Sequence, residues 1–293
     1  MARRLSRIEL ICRDPDRLAG FYEAALGFII LIGPEDIPNT ASASITLRLG
    51  QQEIRLIGAR PMGQPYPAHV AGWSLLFQHI AIVVSDMTGA YARLSMIHGW
   101  TPISTAGPQV LPIASGGVKA FKFRDPEGHP LELIAFAPDA KPIQWQRASD
   151  NYCIGIDHSA VSVSDTLRSI AFYESLGLRR TASSLNVGQE QAKLDDVPNA
   201  MVEVSALTPE RVTPHVELLC YRGDFDRRIR PKAANDATAT RLVFMVESRA
   251  MLEMICARHH DRVLSGPILV NNTIYGASLR DPDGHLISLE AAI

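Results

Sequence analysis

Phe123-Arg-Asp-Pro-Glu-Gly-His-Pro-Leu-Glu132 lies near the middle of the chain, and Leu279-Arg-Asp-Pro-Asp-Gly-His-Leu-Ile-Ser288 lies near its end. The shared Arg-Asp-Pro-acid-Gly-His core marks an internal repeat, and a repeat decides the architecture before any local propensity does. Further upstream, Asp14 is followed seven residues later by Phe21-Tyr22 and then by Leu26-Gly27-Phe28. Asp165 is followed at the same offset by Phe172-Tyr173 and then by Leu176-Gly177-Leu178. The chain therefore divides into two repeated halves, 1–140 and 150–293, as its length of 293 residues suggests for two compact domains.

Each half divides again. Ile8–Cys12, Ile80–Val84, Ser159–Val163 and Leu242–Val246 are strand candidates, each leading through Asp14, Asp86, Asp165 or Glu247 into an amphipathic helix. Those acids suit helix N-caps, or residues beside one, because a carboxylate accepts bonds from the unpaired N–H groups of a first turn. Further strands are expected at Ser44–Leu49 with Glu53–Ile57, at Lys119–Phe123 with Leu131–Phe136, and at Tyr275–Leu279 with Leu286–Glu290. In the third unit they are expected at Gln191–Leu194, Met201–Leu207 and His215–Tyr221. The DPxG segments read as tight turns between the last two strands. Four units result, at about 5–58, 77–137, 156–222 and 240–291, with linkers at Arg60–Gly72 and Pro138–Gly155.

Composition narrows the function. Apolar residues make up 46% of the chain and charged ones 20%, which suits an ordered globular protein. A formal charge of −2 leaves no basic surplus to neutralise a phosphate backbone, so nucleic acid is not an expected partner. Cys12, Cys153, Cys220 and Cys256 form no CxxC pair, which argues against a zinc ribbon or a dithiol redox motif. The stretch Leu75–Val84 is too short and too polar to cross a bilayer, and the first residues run into Glu9, Asp14 and Asp16 where a secretion signal would be apolar. A soluble cytoplasmic protein, monomer or homodimer, acting on a small molecule is expected.

The βαβββ period, the strand-initial His, the FY…LG helix end and the DPxGH turn together resemble the vicinal-oxygen-chelate superfamily. That superfamily includes glyoxalase I, methylmalonyl-CoA epimerase, bleomycin- and fosfomycin-resistance proteins and extradiol dioxygenases. The resemblance runs from about Leu5 to Glu290. It implies an α+β fold of four βαβββ modules in two tandem halves, paired side by side into cup-shaped half-barrels. It also implies metal ligands on the first and last strand of each module. Counting back seven residues from each acidic landmark places Arg7, His79, His158 and Thr240 on the first strands. The matching phrases Ile54-Arg-Leu, Leu131-Glu-Leu, Val216-Glu-Leu and Ile287-Ser-Leu place Arg55, Glu132, Glu217 and Ser288 on the last.

Modules two and three each offer a His and a Glu, whereas modules one and four offer neither. Pairing one with two and three with four leaves both cups incomplete. Pairing two with three completes one cup with His79, Glu132, His158 and Glu217, and leaves Arg7, Arg55, Thr240 and Ser288 in the other. This crossed arrangement is that of the monomeric four-module glyoxalase I enzymes that the chain resembles.

Two imidazoles and two carboxylates suit one divalent ion, Ni²⁺, Co²⁺, Zn²⁺, Fe²⁺ or Mn²⁺, with two positions left for a chelating substrate. Such a site predicts lyase or isomerase chemistry of the glyoxalase or epimerase kind, with Glu132 and Glu217 able to move a proton. Lys122 could bind an anionic substrate group, or be a surface lysine. One alternative is an extradiol-type ring-cleaving dioxygenase, whose usual second-half ligand positions fall on His158, Thr240 and Ser288, two of them non-ligating. The other is a metal-free small-molecule binding protein of the bleomycin-resistance kind. The segment from Asn186 to Gln191 borders the cup or forms a loop. His129 and His285 read as turn residues, and Trp73, Trp100 and Trp145 as packing.

Overall fold

Runs of β-branched and aliphatic residues punctuated by Gly, Pro and Asp give a chain that is mostly strand. In the computed structural model, which describes residues 1–36, 43–146, 151–228, 233–271 and 273–293, they form four consecutive units. The first comprises β1 (Ala2–Cys12), α1 (Pro15–Leu26), β2 (Ile29–Asp36), β3 (Ala43–Leu49) and β4 (Gln52–Gly58). The second comprises β5 (Gln78–Val84), α2 (Met87–Ser95), the short β6 (Thr101–Pro102) and β7 (Gln109–Val110), β8 (Lys119–Arg124) and β9 (Pro130–Ala135). The third has β10 (Cys153–Ser162), α3 (Thr166–Ser175), β11 (Arg179–Val187), α4 (Gln189–Asp195), β12 (Met201–Thr208) and β13 (His215–Tyr221). The fourth has β14 (Arg241–Val246), α5 (Arg249–Arg258), β15 (Val263–Asn271), β16 (Ile274–Arg280) and β17 (Leu286–Ala292).

These strands make two sheets, each drawing on both halves of the chain. The eight-stranded sheet runs β15-β16-β17-β14-β1-β4-β3-β2 and unites units one and four. The nine-stranded sheet runs β11-β12-β13-β10-β5-β9-β8-β6, with β7 on β8, and unites units two and three. Within a unit the first strand lies parallel to the last, while β1 with β14 and β5 with β10 join the units antiparallel.

Strand alternation gives each sheet two faces. Ile80, Ile82 and Val84 of β5 enter one large apolar cluster that includes residues of both sheets and of α1, α2, α3 and α5. Ala81 and Val83 point the other way, into a separate cluster that walls a cavity. The sheets thus share their core on one side and keep their concave faces for ligands.

The repeated motifs lock this arrangement. Tyr22 on α1 donates to Asp125 Oδ2 at 3.1 Å, so the first unit's FY pair meets the second unit's DPxGH turn. His129 closes the knot, with Nδ1 2.8 Å from Asp125 Oδ2 and Nε2 3.0 Å from the carbonyl oxygen of Ile11 on β1. The second half repeats it. Tyr173 donates to Asp281 Oδ2 at 3.2 Å, and His285 Nε2 lies 2.8 Å from the carbonyl oxygen of Ser162 on β10. Gly128 and Gly284 hold φ of +95° and +91°, and a Cβ at Gly128 would sit 2.8 Å from Tyr66 Cβ, which explains the glycine in both turns.

Two expectations need correction. Gln191–Leu194 is part of α4 and not a strand, because a short apolar run does not by itself distinguish the two. β2, β11 and β15 were not anticipated, and all three are sheet-edge strands rich in exposed residues such as Ile30, Leu185 and Val270. An edge strand wetted on both faces shows no clean alternation. Asp14, Asp86 and Asp165 cap their helices as expected, and Glu247 lies beside the cap of α5, Ser248, whose hydroxyl accepts from Met251 N at 3.3 Å. Glu247 itself pairs with Arg3 at 3.5 Å. Asn186 lies in β11 and Gln191 in α4, and both side chains border the cup, the first of the two expectations for that segment.

Loss of either tyrosine hydroxyl leaves a buried carboxylate short of a donor. Tyr22→Phe and Tyr173→Phe are each expected to cost about 1–3 kcal/mol in denaturant unfolding, and to add in the double variant because the two knots share no group. A cost below a few tenths for both would remove the knots from the stability of the fold. Burial pulls the His129 imidazole down, but Asp125 and the Ile11 carbonyl outweigh it and raise it above its ordinary 6.5. A raised folded value contributes stability that is complete below about 6.5 and is lost as pH rises through the higher folded value. The melting-temperature gap between wild type and His129→Gln should therefore be larger at pH 5.5 than at pH 9, and a gap that widens at pH 9 contradicts this.

Candidate metal centre

The concave face of the nine-stranded sheet encloses a cavity of about 360 Å³. Four strands aim side chains into it. On β5, with Ile80 turned to the core, His79 faces the cavity; on β9, Leu131 and Leu133 turn inward and Glu132 outward. On β13, Val216 and Leu218 take the core and Glu217 the cavity. β10 departs from alternation. Its register against β5 slips between Ile156 and His158, a β-bulge that leaves Asp157 as the extra residue and sets Asp157 and His158 on the cavity side together.

His79 Nε2 lies 3.0 Å from Glu132 Oε2. His158 Nε2 lies 3.8 Å from the same oxygen and 3.4 Å from Glu217 Oε2. The two imidazole centroids are 5.6 Å apart. The structure thus brings His79, Glu132, His158 and Glu217 together in one cavity.

His158 Nδ1 lies 3.0 Å from Asp157 Oδ2, and Asp157 Oδ1 accepts from Trp145 Nε1 at 2.9 Å. Its other nitrogen, Nε2, is buried without a hydrogen-bond partner. A buried unsatisfied nitrogen amid carboxylates calls for an explanation, and a divalent cation supplies one. Donor atoms about 2.0–2.2 Å from a common ion stand roughly 3 Å apart at right angles, close to the spacings above. A carboxylate behind the imidazole is the usual orienting partner of a ligating histidine. The residues present fit a divalent ion.

The charges agree. Burial would raise both carboxyls, but Lys122 and His79 hold Glu132 at about 2, and His158 and His215 hold Glu217 at about 2. Burial would lower His158, yet Glu217 and Asp157 push it up to about 9, the response of an imidazole held where positive charge is wanted. His79 is lowered, by burial first and Lys122 second, which favours the neutral ligating form.

Sequence reasoning missed three residues. His215 sits two residues before Glu217 on the same strand face, with Nε2 3.7 Å from Glu217 Oε1, and this His-x-Glu spacing was the available signal. Asp157 was hidden by the bulge, which no alternation pattern forecasts. Trp145 gave no signal. Asp157, His158 and His215 form a second close group, but it shares His158 and belongs to this site.

Lys122 lines the cavity opposite Glu132 and is buried, not a surface residue. Its Nζ is taken by Asp195 at 2.7 Å, and Asp195 also accepts from Gln191 and Tyr221. Its ammonium therefore holds Glu132 ionised at close range while tied to the far wall.

The concave face of the other sheet differs. Arg7, Arg55 and Ser288 line a second cavity of about 750 Å³. Thr240 is not the fourth position. Val243 pairs with Ser288 as Ala160 pairs with Glu217, so the counterpart of His158 is Arg241, which also lines this cavity. The count of seven slipped because it started from Glu247, and the capping residue is Ser248.

Residues 4–133 match the model of the Glyoxalase/Bleomycin resistance protein/Dioxygenase superfamily. Over its length the fold is similar to that of glyoxalase I from Zea mays, with a TM-score of 0.66, 19% identity and 98% of this chain covering 92% of that one. A variant of the maize enzyme gives a TM-score of 0.68 at 20% identity, again with 98% of this chain and 92% of that one. A Bacillus subtilis protein provisionally described as a dioxygenase gives 0.61 at 12% identity over 99% of this chain and 85% of that one. No curated protein matches in sequence. At these identities the structural likenesses establish the fold alone.

Protein purified without chelator is expected to carry about one divalent ion per chain by elemental analysis. His79→Ala and Glu217→Ala should lose it, and Asp157→Asn should weaken binding by about 10–100-fold. Equal metal retention by the two alanine variants would abolish the site.

Proposed function

We propose that the chain is a divalent-metal-dependent lyase or isomerase of the glyoxalase or epimerase type, acting on a small substrate with adjacent oxygens. The observation that carries this is the approach of Glu132, paired with His79, and of Glu217 to the unpaired His158 Nε2. A divalent ion bound there would act as a Lewis acid on two neighbouring substrate oxygens. Four protein donors leave two of six positions, enough for a chelating substrate and one short of a chelating substrate plus O₂.

The two carboxylates divide the remaining work. Glu132 is fixed by His79 at 3.0 Å and faces Lys122 across the strand pair, so its position and charge are static. Among the described residues Glu217 forms ion pairs with His158 at 3.4 Å and His215 at 3.7 Å, and its side chain is 22% exposed against 8% for Glu132. Glu217 is the carboxylate free to swing toward a substrate carbon and carry a proton between neighbouring positions. His215 beside it can hold the carboxylate's other oxygen during that movement. The apolar walls, Leu111, Ile134, Val204 and Leu219 among them, exclude water around the exchanging proton.

This reading is tested by assaying protein reconstituted with Ni²⁺, Co²⁺, Zn²⁺, Fe²⁺ or Mn²⁺ against hemithioacetals and acyl-CoA epimers. An oxygen electrode follows the iron form with a catechol panel in parallel. Turnover without O₂ uptake is expected, with Glu217→Gln lowering kcat by about 10²-fold or more while the fold is retained. Rapid O₂ uptake with a diol would replace the proposal by ring cleavage, and inactivity throughout would favour a binding protein.

A further inference from the structure

The second cavity occupies the same place in the eight-stranded sheet that the metal centre occupies in the nine-stranded one, and its charge is inverted. Strand register makes Arg7 the counterpart of His79, Arg55 of Glu132, Arg241 of His158 and Ser288 of Glu217. Each of these four candidate ligand positions in one sheet holds a guanidinium or a hydroxyl in the other.

The cavity brings only part of the negative charge these cations need. Arg7 is satisfied, with Nη1 and Nη2 2.9 and 2.6 Å from the two oxygens of Glu290 and Nε 2.9 Å from Glu9. Arg241 lies 3.6 Å from the other Glu9 oxygen and donates to the Ala234 carbonyl at 2.6 Å. Arg55 has only a neutral partner, Thr46 Oγ1 at 3.3 Å from Nε. Among the described residues no carboxylate pairs with Arg55. Three arginines against Glu9 and Glu290 leave the cavity floor one negative charge short, at a half-buried guanidinium whose planar fork matches a carboxylate.

The rest of the lining is apolar. Ile11 and Ile57 flank the arginines, and β15 with β16 adds Leu264, Ile268, Val270 and Ile274. Leu264, Ile268 and Val270 are 52%, 58% and 56% exposed, so this edge presents hydrocarbon to the cavity mouth, uncovered by any of the described residues. At about 750 Å³ the space is of the size that encloses a small organic molecule.

We propose that the second cup is a binding site for a small organic monoanion with an apolar body, its carboxylate paired with Arg55 and its hydrocarbon laid against β15 and β16. The charge inversion adapts the fold's cation-holding positions to an anion, and the deficit of one carboxylate sets the ligand's charge.

Octanoate serves as the probe and octanamide as its neutral counterpart, with titration calorimetry and thermal shift as readouts on the full chain. Wild type should bind octanoate saturably at one site and gain melting temperature, while octanamide should not. Arg55→Gln should weaken octanoate by at least tenfold, and Ser288→Glu, which adds the missing negative charge inside the cavity, should do the same if the first variant fails to fold. His158→Ala, in the other cup, should bind octanoate as wild type does. No saturable binding in the millimolar range, equal binding of octanamide, unaltered binding by folded Arg55→Gln, or loss of binding in His158→Ala would each overturn the site.

Discussion

A carboxylate taken out of water must be surrounded by donors, and Asp125 and Asp281, 3% and 1% exposed, take backbone donors from their own turns and complete the set where two units of the chain meet. Tyr22 reaches Asp125 from the helix of the first unit, and Tyr173 reaches Asp281 from the helix of the third. His129 and His285 extend each knot to a backbone carbonyl on a first strand of the other sheet. Neighbours in sequence are therefore tied through helix and turn. Their sheet edges remain open, and β5 pairs with β10 and β1 with β14 to close them. The crossed pairing of the sheets sets the composition of both cups, and the knots at these buried acids tie one sheet to the other.

Once the pairing is set, the electrostatics of the two cups diverge. In the nine-stranded sheet the fields are mutually supporting. Lys122 and the imidazoles keep Glu132 and Glu217 ionised despite burial, and Asp157, Glu132 and Glu217 raise His158. A site that holds paired carboxylates around an imidazole nitrogen with no partner is organised before any ligand arrives, which is the condition under which binding energy is not spent on rearrangement. In the eight-stranded sheet Arg7, Glu9 and Glu290 satisfy one another directly, and Arg7 stays protonated under any ordinary condition. The same scaffold thus supports opposite charge at equivalent positions, as expected when a fold supplies geometry and the side chains supply chemistry.

The backbone irregularity at Asp157 shows how local the decisive features are. One extra residue in β10 turns two successive side chains toward the cavity and places a carboxylate directly behind the imidazole of His158. A slip of the same kind in β1, between Leu5 and Arg7, makes Ser6 the extra residue, and its hydroxyl donates to the Val243 carbonyl at 2.9 Å. The bulge is shared by both sheets, whereas the orienting carboxylate exists in only one.

The amino-acid sequence by itself determined the repeat, the helix starts at Asp14, Asp86 and Asp165, and the candidate ligands His79, Glu132, His158 and Glu217. All of these rest on local constraints, such as turn chemistry, capping and the strict period of a strand with one face in the core. Where local constraint was weak the reading failed. The edge strands β2, β11 and β15 lack alternation, α4 is too short to distinguish from a strand, and the count of seven taken from Glu247, one residue before the cap Ser248, fell on Thr240. Only the tertiary structure decided that β5 lies beside β10, that Asp157 and His215 join the site, that Lys122 is held by Asp195, and that Arg241 takes the place assigned to Thr240. Each of these depends on contacts between residues far apart in the chain, and the physical reason is the same throughout: register across a sheet and satisfaction of buried charge are properties of the packed molecule, for which the His-x-Glu spacing at His215 was the one local signal.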